Sequence, residues 1–182
     1  MSLFHYVLLT GAWLFWMAPF LLLKRNREQP AQVDKRARWG ILLQSVAYCL
    51  VWQSDFWNRR PAPSRVALAA LFFTIGALLS WTAVRTLGRQ WRIDAGLNPD
   101  HELVRAGPYR VVRHPIYASM ICMWFGTGLL VAPMPLFALC LAILIAGTEI
   151  RVRLEDSLLA SRFGDDFRSY QTQVAAYVPY VR

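Results

Sequence analysis

Long apolar runs constrain the fold of this 182-residue sequence more than any other feature. Five such runs are present, at residues 4–23, 39–57, 66–84, 116–131 and 135–150. A helix needs about 20 apolar residues to cross the hydrocarbon core of a bilayer. The first three runs meet that length, and the last two fall short of it. The sequence therefore predicts one all-α integral membrane domain over residues 1–182, with about five transmembrane helices.

The last two runs are separated only by residues 132–134. Proline interrupts a helix because it lacks a backbone N–H and fixes φ, so Pro133 and Pro135 favour a turn. We expect a tight helical hairpin at this point. On this division, residues 1–84 form three N-terminal spans. Residues 85–182 hold the hairpin and a C-terminal segment that we expect in the cytoplasm.

The residues on either side of the first apolar run are not those of a cleaved signal peptide. No basic residue precedes it, and Lys24, Arg25 and Arg27 follow it at once. Basic residues directly after an apolar run are typical of a segment that stays in the membrane. We expect a permanent helix here.

The net charge of +9 is concentrated between the apolar runs. Segments 24–38, 85–115 and 149–182 hold 17 of the 20 Lys and Arg residues. Because basic loops stay in the cytoplasm, this pattern predicts an outside N-terminus and an inside C-terminus. The charge is thus explained by topology, and we expect no nucleic-acid partner. The short loops favour a bacterial or archaeal cytoplasmic membrane, or the endoplasmic reticulum if the source is eukaryotic.

The cysteines and histidines do not predict a metal site. Cys49, Cys122 and Cys140 all lie inside apolar runs, without a CxxC pair. The three histidines are far apart in the sequence. Neither set has the spacing of zinc ligands, and an odd number of buried thiols argues against a disulfide framework.

A first polar cluster precedes the fourth run. It comprises His101-Glu102-Leu103-Val104, Gly107-Pro108-Tyr109-Arg110 and Arg113-His114-Pro115-Ile116-Tyr117. Proline suits the first turn of a helix, where free N–H groups and a partial positive charge can hold a carboxylate. Individually, these residues could simply anchor a helix among lipid headgroups. The cluster as a whole indicates a functional site more specifically than any one of its members does.

A second polar cluster follows the fifth run: Glu149, Arg151, Arg153, Glu155 and Asp156. If the helix continues, residues four apart share a face and can pair. Exposed ion pairs at a helix end contribute little to stability, and this is the alternative interpretation. Ionisable groups near membrane depth are nevertheless functional candidates by default.

The order and spacing of these motifs over residues 85–182 resemble the isoprenylcysteine carboxyl methyltransferase family, and the related phospholipid methyltransferases share the pattern. The family's H-x-L-V, G-x-Y and R-H-P-x-Y segments, its helical hairpin and its Arg with two acidic residues are matched in order. Two positions depart from it. Ser119 replaces the usual Gly, which can alter helix packing near the site, and Asp156 replaces the usual Glu.

The resemblance implies a helical membrane fold without a Rossmann domain. It also implies S-adenosyl-L-methionine as cofactor, in a pocket that faces the cytoplasm and is capped by a cofactor-binding C-terminal segment. Glu155 would hold the cofactor's ammonium group and Arg151 would face the substrate, which makes these two the expected catalytic residues. The remaining cofactor-binding residues implied are His101, Glu102, Leu103, Val104, Tyr109, His114, Pro115, Ile116 and Tyr117.

Methyl transfer from a sulfonium is an in-line displacement, so the enzyme mainly aligns the two reactants and excludes water. An Arg can orient a carboxylate acceptor without a general base, and this favours carboxyl O-methylation of a lipophilic or prenylated substrate. Phospholipid or amine N-methylation stays open, as does a thiol acceptor. A nicotinamide-dependent membrane reductase and a non-catalytic membrane protein or transporter subunit are further alternatives. The oligomeric state is not readable from the sequence.

Overall fold

A computed structural model of the chain describes residues 1–23, 32–53, 55, 58–92 and 96–179. The described elements are mostly helical. The helices are α1 (Leu3–Leu22), α2 (Ala37–Val51), α3 (Pro63–Leu87), α4 (Pro115–Val131), α5 (Met134–Phe163) and α6 (Asp165–Gln173). Two short strands, β1 (Gln32–Val33) and β2 (Gly96–Leu97), pair antiparallel. Short 3-10 turns lie at Gly88–Gln90 and Gly107–Arg110.

Three helices in the described part of the chain are long and apolar enough to cross a membrane. They are Leu3–Leu22, Pro63–Gln90 and Met134–Phe163. The helices Ala37–Val51 and Pro115–Val131 are apolar but shorter. Many large apolar side chains of these helices are exposed, as expected of helices that contact lipid. The protein is therefore an integral membrane protein.

Two helices have bounds that differ from those predicted. α2 ends at Val51, whereas the sequence predicted a run to residue 57. Residues 54, 56 and 57 lie outside the described part of the chain, as do residues 24–31 of the basic segment after α1. α5 extends to Phe163, well past the predicted end of the apolar run. Apolar composition marks where a helix can meet lipid, not where its backbone hydrogen bonding stops.

The helices pack in pairs that are not neighbours in sequence order. α3 lies along α4, with the Phe73 ring against Gly126. α2 lies along α5, where Gly40 and Gly147 allow the two backbones to meet. Small residues permit such close approach between membrane helices. α1 packs mainly against α3. α4 and α5 are joined by only two residues.

The segment after α6 returns to the beginning of α4. The backbone N–H groups of Arg113 and His114 donate to the carbonyls of Ala175 and Ala176, each at 2.8 Å. The turn into α6 is made by Gly164, whose φ of 53° favours glycine. This return brings the C-terminal segment beside the polar residues that precede α4.

Candidate active site

A cavity of about 420 Å³ lies where α1, α3, α4 and α5 meet the segment between α3 and α4. This volume falls within the range of small-molecule sites. A group of polar and aromatic lining residues, which we name the polar end, comprises His101, Tyr109, Arg113, His114, Tyr117, Arg151 and Glu155; Gln90 and Arg92 also line the cavity. An apolar group, which we name the apolar end, comprises Trp16, Met17, Phe20, Leu21, Trp91 and Met120, with the Phe20 ring against those of Trp16 and Trp91. A ligand that fills the cavity would have both a charged and a hydrophobic part.

Glu155 is the carboxylate that faces the cavity at the polar end. The Tyr117 hydroxyl donates to its Oε1. The Arg151 guanidinium lies 3.7 Å from the same oxygen and 5.2 Å from the centre of the Tyr117 ring. Because α5 continues past the apolar run, Arg151 and Glu155 share one helix face. The carboxylate side chain is 24% exposed, so it can still meet a ligand.

Asp156, the next residue, is buried and saturated with partners. Arg113 Nη2 donates to its Oδ2 at 2.9 Å, and His114 Nε2 lies 2.8 Å from its Oδ1. The Gln171 side-chain amide of α6 also donates to Oδ2, at 3.1 Å. Asp156 thus joins the start of α4, α5 and α6 into one cluster behind the polar end, and we name Arg113, His114 and Asp156 the ionic cluster.

The ionic cluster holds the His114 ring in its charged form. Burial alone would lower the pKa of His114, but its hydrogen bond to Asp156 and the nearby charge of Glu155 outweigh that effect. Together they raise the pKa of His114 to about 9. At neutral pH three cations, His114, Arg113 and Arg151, therefore surround two carboxylates. One positive charge is in excess, which favours an anionic ligand group.

His101 lies in the cavity wall with an unsatisfied ring nitrogen. Its Nδ1 is buried and has no hydrogen-bond partner among the described residues. Burial lowers the pKa of His101, with a smaller contribution from Arg162 and Arg92 and an opposing one from Asp100. A neutral imidazole with a free nitrogen can bond to a polar group of a ligand.

The cavity brings together most residues that the sequence singled out. His101, Tyr109, His114, Pro115, Ile116, Tyr117, Arg151 and Glu155 line it. Glu102, Leu103 and Val104 follow His101 in a segment without regular structure and are not in the cavity wall. Glu102 is exposed, and the other two are half-buried.

Sequence reasoning assigned no role to several residues that form the site. Trp16, Phe20 and Trp91 line the apolar end, and Asp156 and Arg113 support the polar end. Asp156 and Arg113 did stand inside the two polar clusters, so proximity to the motifs was a usable signal for them. Trp16 and Phe20 lie in an apolar run that carries no motif, and no pattern distinguished them from lipid-facing neighbours.

A metal centre is not formed by the described residues, in which no three His, Cys, Asp or Glu side chains gather as ligands would. The buried cations of the ionic cluster would oppose a metal ion.

The chain is similar in sequence to known methyltransferases. Residues 64–166 match the family model described as phospholipid methyltransferase. The chain is 33% identical over 110 residues to a protein-S-isoprenylcysteine O-methyltransferase of Tribolium castaneum, covering 59% of this chain and 39% of that protein. It is 30% identical over 163 residues to a methanethiol S-methyltransferase of Mycobacterium tuberculosis, covering 77% and 62%.

A solved structure shares the fold. The chain aligns over its whole length, at a TM-score of 0.55 and 22% identity, with 64% of a eukaryotic intramembrane Ras methyltransferase, an isoprenylcysteine carboxyl methyltransferase. The matched region thus spans only part of these relatives, about 39% of the Tribolium protein. The predicted resemblance to isoprenylcysteine carboxyl methyltransferases is confirmed.

Proposed function

Because the chain belongs to the phospholipid methyltransferase family, we propose that it transfers a methyl group from S-adenosyl-L-methionine to a lipid-like acceptor in the membrane. The acceptor group that fits best is a carboxylate, as on an isoprenylcysteine-type substrate. The observation that carries the proposal is the cavity itself. Its polar end and its apolar end would serve one amphipathic acceptor beside a charged donor.

The residues of the polar end fit S-adenosyl-L-methionine. When bound, this cofactor supplies an electrophilic methyl group on a sulfonium. Glu155 is a partly exposed carboxylate that can accept hydrogen bonds from the cofactor's ammonium group. The unsatisfied Nδ1 of His101 offers a hydrogen-bond site for a polar atom of the cofactor. Tyr109, Pro115 and the other lining residues would enclose it.

Arg151 is the residue we assign to the acceptor. Its guanidinium is held over the Tyr117 ring and beside Glu155, so its orientation is set before any ligand arrives. A planar guanidinium can hold a carboxylate through two parallel hydrogen bonds. The positive charge in excess at the polar end favours the same acceptor. An amine acceptor would have to lose a proton, and a nearby cation does not assist that step.

The membrane arrangement proposed here follows the charge pattern. Five helices, including the shorter α2 and α4, would cross or enter the bilayer, with α4 and α5 as a hairpin. The N-terminus would lie outside and the C-terminus inside, so that the polar end faces the cytoplasm. The tail of the acceptor would enter sideways from the bilayer toward the apolar end. A prokaryotic cytoplasmic membrane is the expected location.

Calorimetric titration of the detergent-purified protein with S-adenosyl-L-methionine, and separately with NADPH, tests the proposed cofactor. We expect only the first to bind. Glu155→Gln should weaken that binding about tenfold to a hundredfold, because a charge-assisted hydrogen bond is lost. Glu149→Gln is the matched control, since Glu149 is equally exposed on the same helix, pairs with Arg153 and does not line the cavity. Binding of NADPH alone would replace the proposal with a reductase.

A methyl-transfer assay with radiolabelled cofactor and lipophilic acids, amines, phospholipids and thiols tests the acceptor class. Acids should be methylated best. Arg151→Gln should raise KM for the acid far more than it weakens cofactor binding. Arg153→Gln, whose side chain is exposed and paired with Glu149, should leave both unchanged. Transfer to amines alone would favour N-methylation instead.

A further inference from the structure

One wall of the apolar end of the cavity comes from α1. Trp16, Met17, Phe20 and Leu21 form this wall. α1 precedes the segment that matches the family, which begins at residue 64. This wall is therefore supplied by residues that precede the region matched by the family model.

Trp16 is the most firmly held residue of this wall. Its indole Nε1 donates to Ser119 Oγ of α4 at 3.0 Å, and its own carbonyl accepts from Ser80 of α3 at 3.2 Å. The ring packs against Phe20, with 4.9 Å between centroids. The Trp16 side chain is only 7% exposed. A buried N–H within the apolar region has no water to bond with instead, so the ring cannot swing away cheaply.

Ser119 is suited to hold the indole. The Ser119 hydroxyl donates to the Ile116 carbonyl at 2.7 Å, which turns the lone pairs of its oxygen toward Trp16. This position departs from the Gly of the resembled pattern. A glycine would leave the indole N–H without its acceptor. The fixed ring is thus a property of this chain's own residues.

The helix geometry shows how near the wall lies to the polar end. Pro115, which lines the cavity, and Ser119, which holds Trp16, lie four residues apart on the same face of α4. That separation is about 6 Å along the helix. The Trp16 ring therefore lines the cavity roughly one helical turn beyond the start of α4.

We propose that Trp16, held by Ser119, is a specificity-determining residue that limits the length of the apolar tail an acceptor can carry. This assignment rests on the proposed function, because it takes the apolar end as the place of the acceptor's tail. Acceptors with a short tail fit between the polar end and the indole. A longer tail meets the ring and must displace it from the Ser119 hydroxyl.

A series of thioether carboxylic acids, lengthened by one isoprene unit at a time, tests the proposal. For each acid, kcat/KM and the equilibrium affinity are measured with wild type and with Trp16→Ala. The wild type should prefer the shorter acids. In Trp16→Ala the ratio of kcat/KM for the longest acid over the shortest should rise at least about tenfold. Ser119→Ala should shift it in the same direction by less, because the ring remains but is released.

Trp81→Ala is the matched control. Trp81 lies on α3 and its indole donates to the Phe15 carbonyl of α1 at 2.9 Å, but it does not line the cavity. Its removal should leave the ratio unchanged. Trp16→Phe serves if Trp16→Ala does not fold, since it keeps an aromatic ring and removes only the outer part of the indole. Cofactor binding by each variant reports an intact polar end.

The possible outcomes separate the role of Trp16 from the proposed function. An unchanged length preference in a Trp16 variant that still binds cofactor would overturn the role of Trp16 and leave the proposed function standing. If wild type transfers no methyl group, the affinities alone decide, and a length preference that Trp16→Ala abolishes still supports the assignment. If wild type neither methylates nor binds any of the acids, both claims fail.

Discussion

The two halves of this molecule are held together by different forces. In the C-terminal half, buried charges join elements: Asp156 of α5 binds Arg113 and His114 before α4 and Gln171 of α6. In the N-terminal half, α1 and α2 carry no comparable cluster within the described residues. α2 is attached by the close contact at Gly40 and by single hydrogen bonds such as that from Gln44 to Thr148, and α1 by single hydrogen bonds such as that from Trp16 to Ser119.

The difference corresponds to what each half contributes to the site. In the proposed function the C-terminal half holds Arg151 and Glu155 at fixed positions next to a charged ligand, and fixed charges require paired surroundings. The N-terminal half contributes only apolar walls and a surface for Arg151 to lie against. Packing and single hydrogen bonds are enough for that purpose. The following predictions test whether this division holds.

The largest expected effect comes from breaking the ionic cluster. Asp156→Ala leaves Arg113 and His114 buried without their carboxylate, which should destabilise the protein by about 3–5 kcal/mol. Thermal unfolding in detergent measures the loss. Asp156→Glu, the residue usual in the resembled pattern, should be milder because the charge remains. Asp165→Ala, exposed at the start of α6, is the control that should change nothing. An unaltered Tm for Asp156→Ala would contradict the comparison.

The pH dependence of stability should report the His114 charge. The pKa of His114 is raised to about 9 in the folded protein, above its ordinary value of about 6.5. Its contribution is therefore complete below about pH 6.5 and is lost as the pH rises through about 9. At about 1.4 kcal/mol per pH unit, the total fall is roughly 3 kcal/mol. The free energy of unfolding, measured across this pH range, should fall with rising pH in wild type and in the control His5→Asn. His114→Asn should not show this fall.

A smaller effect is expected at the contact between α2 and α5. A Cβ at Gly40 would come within 2.6 Å of the Gly147 carbonyl oxygen and 2.5 Å of Arg151 Cγ. Gly40→Ala should cost about 1–3 kcal/mol and should also lower kcat, because Arg151 is displaced. Gly11→Ala has open space around it and should be neutral or stabilise by up to about 1 kcal/mol. A Gly40→Ala variant with wild-type kcat and stability would show that α2 does not position Arg151.

Much of the fold followed from local properties of the sequence. Each apolar run corresponds to a helix, because the cost of exposing apolar side chains and unpaired backbone groups depends on the run itself. The start of α4 at Pro115 followed from the proline's fixed φ. The motif order also indicated the family correctly. The bounds of α2 and α5 did not follow, since a helix can stop within an apolar run or continue beyond it.

The sequence by itself determined that the chain enters a membrane, and it predicted two polar clusters as the place of a site, because length, apolarity and motif spacing are read along the chain. Only the tertiary structure decided that Glu155 faces the cavity while Asp156 turns inward to Arg113 and His114. It alone paired Trp16 with Ser119, which are 103 positions apart. Such contacts depend on how helices cross, and helix crossings are set by the packing of the whole bundle rather than by any one segment.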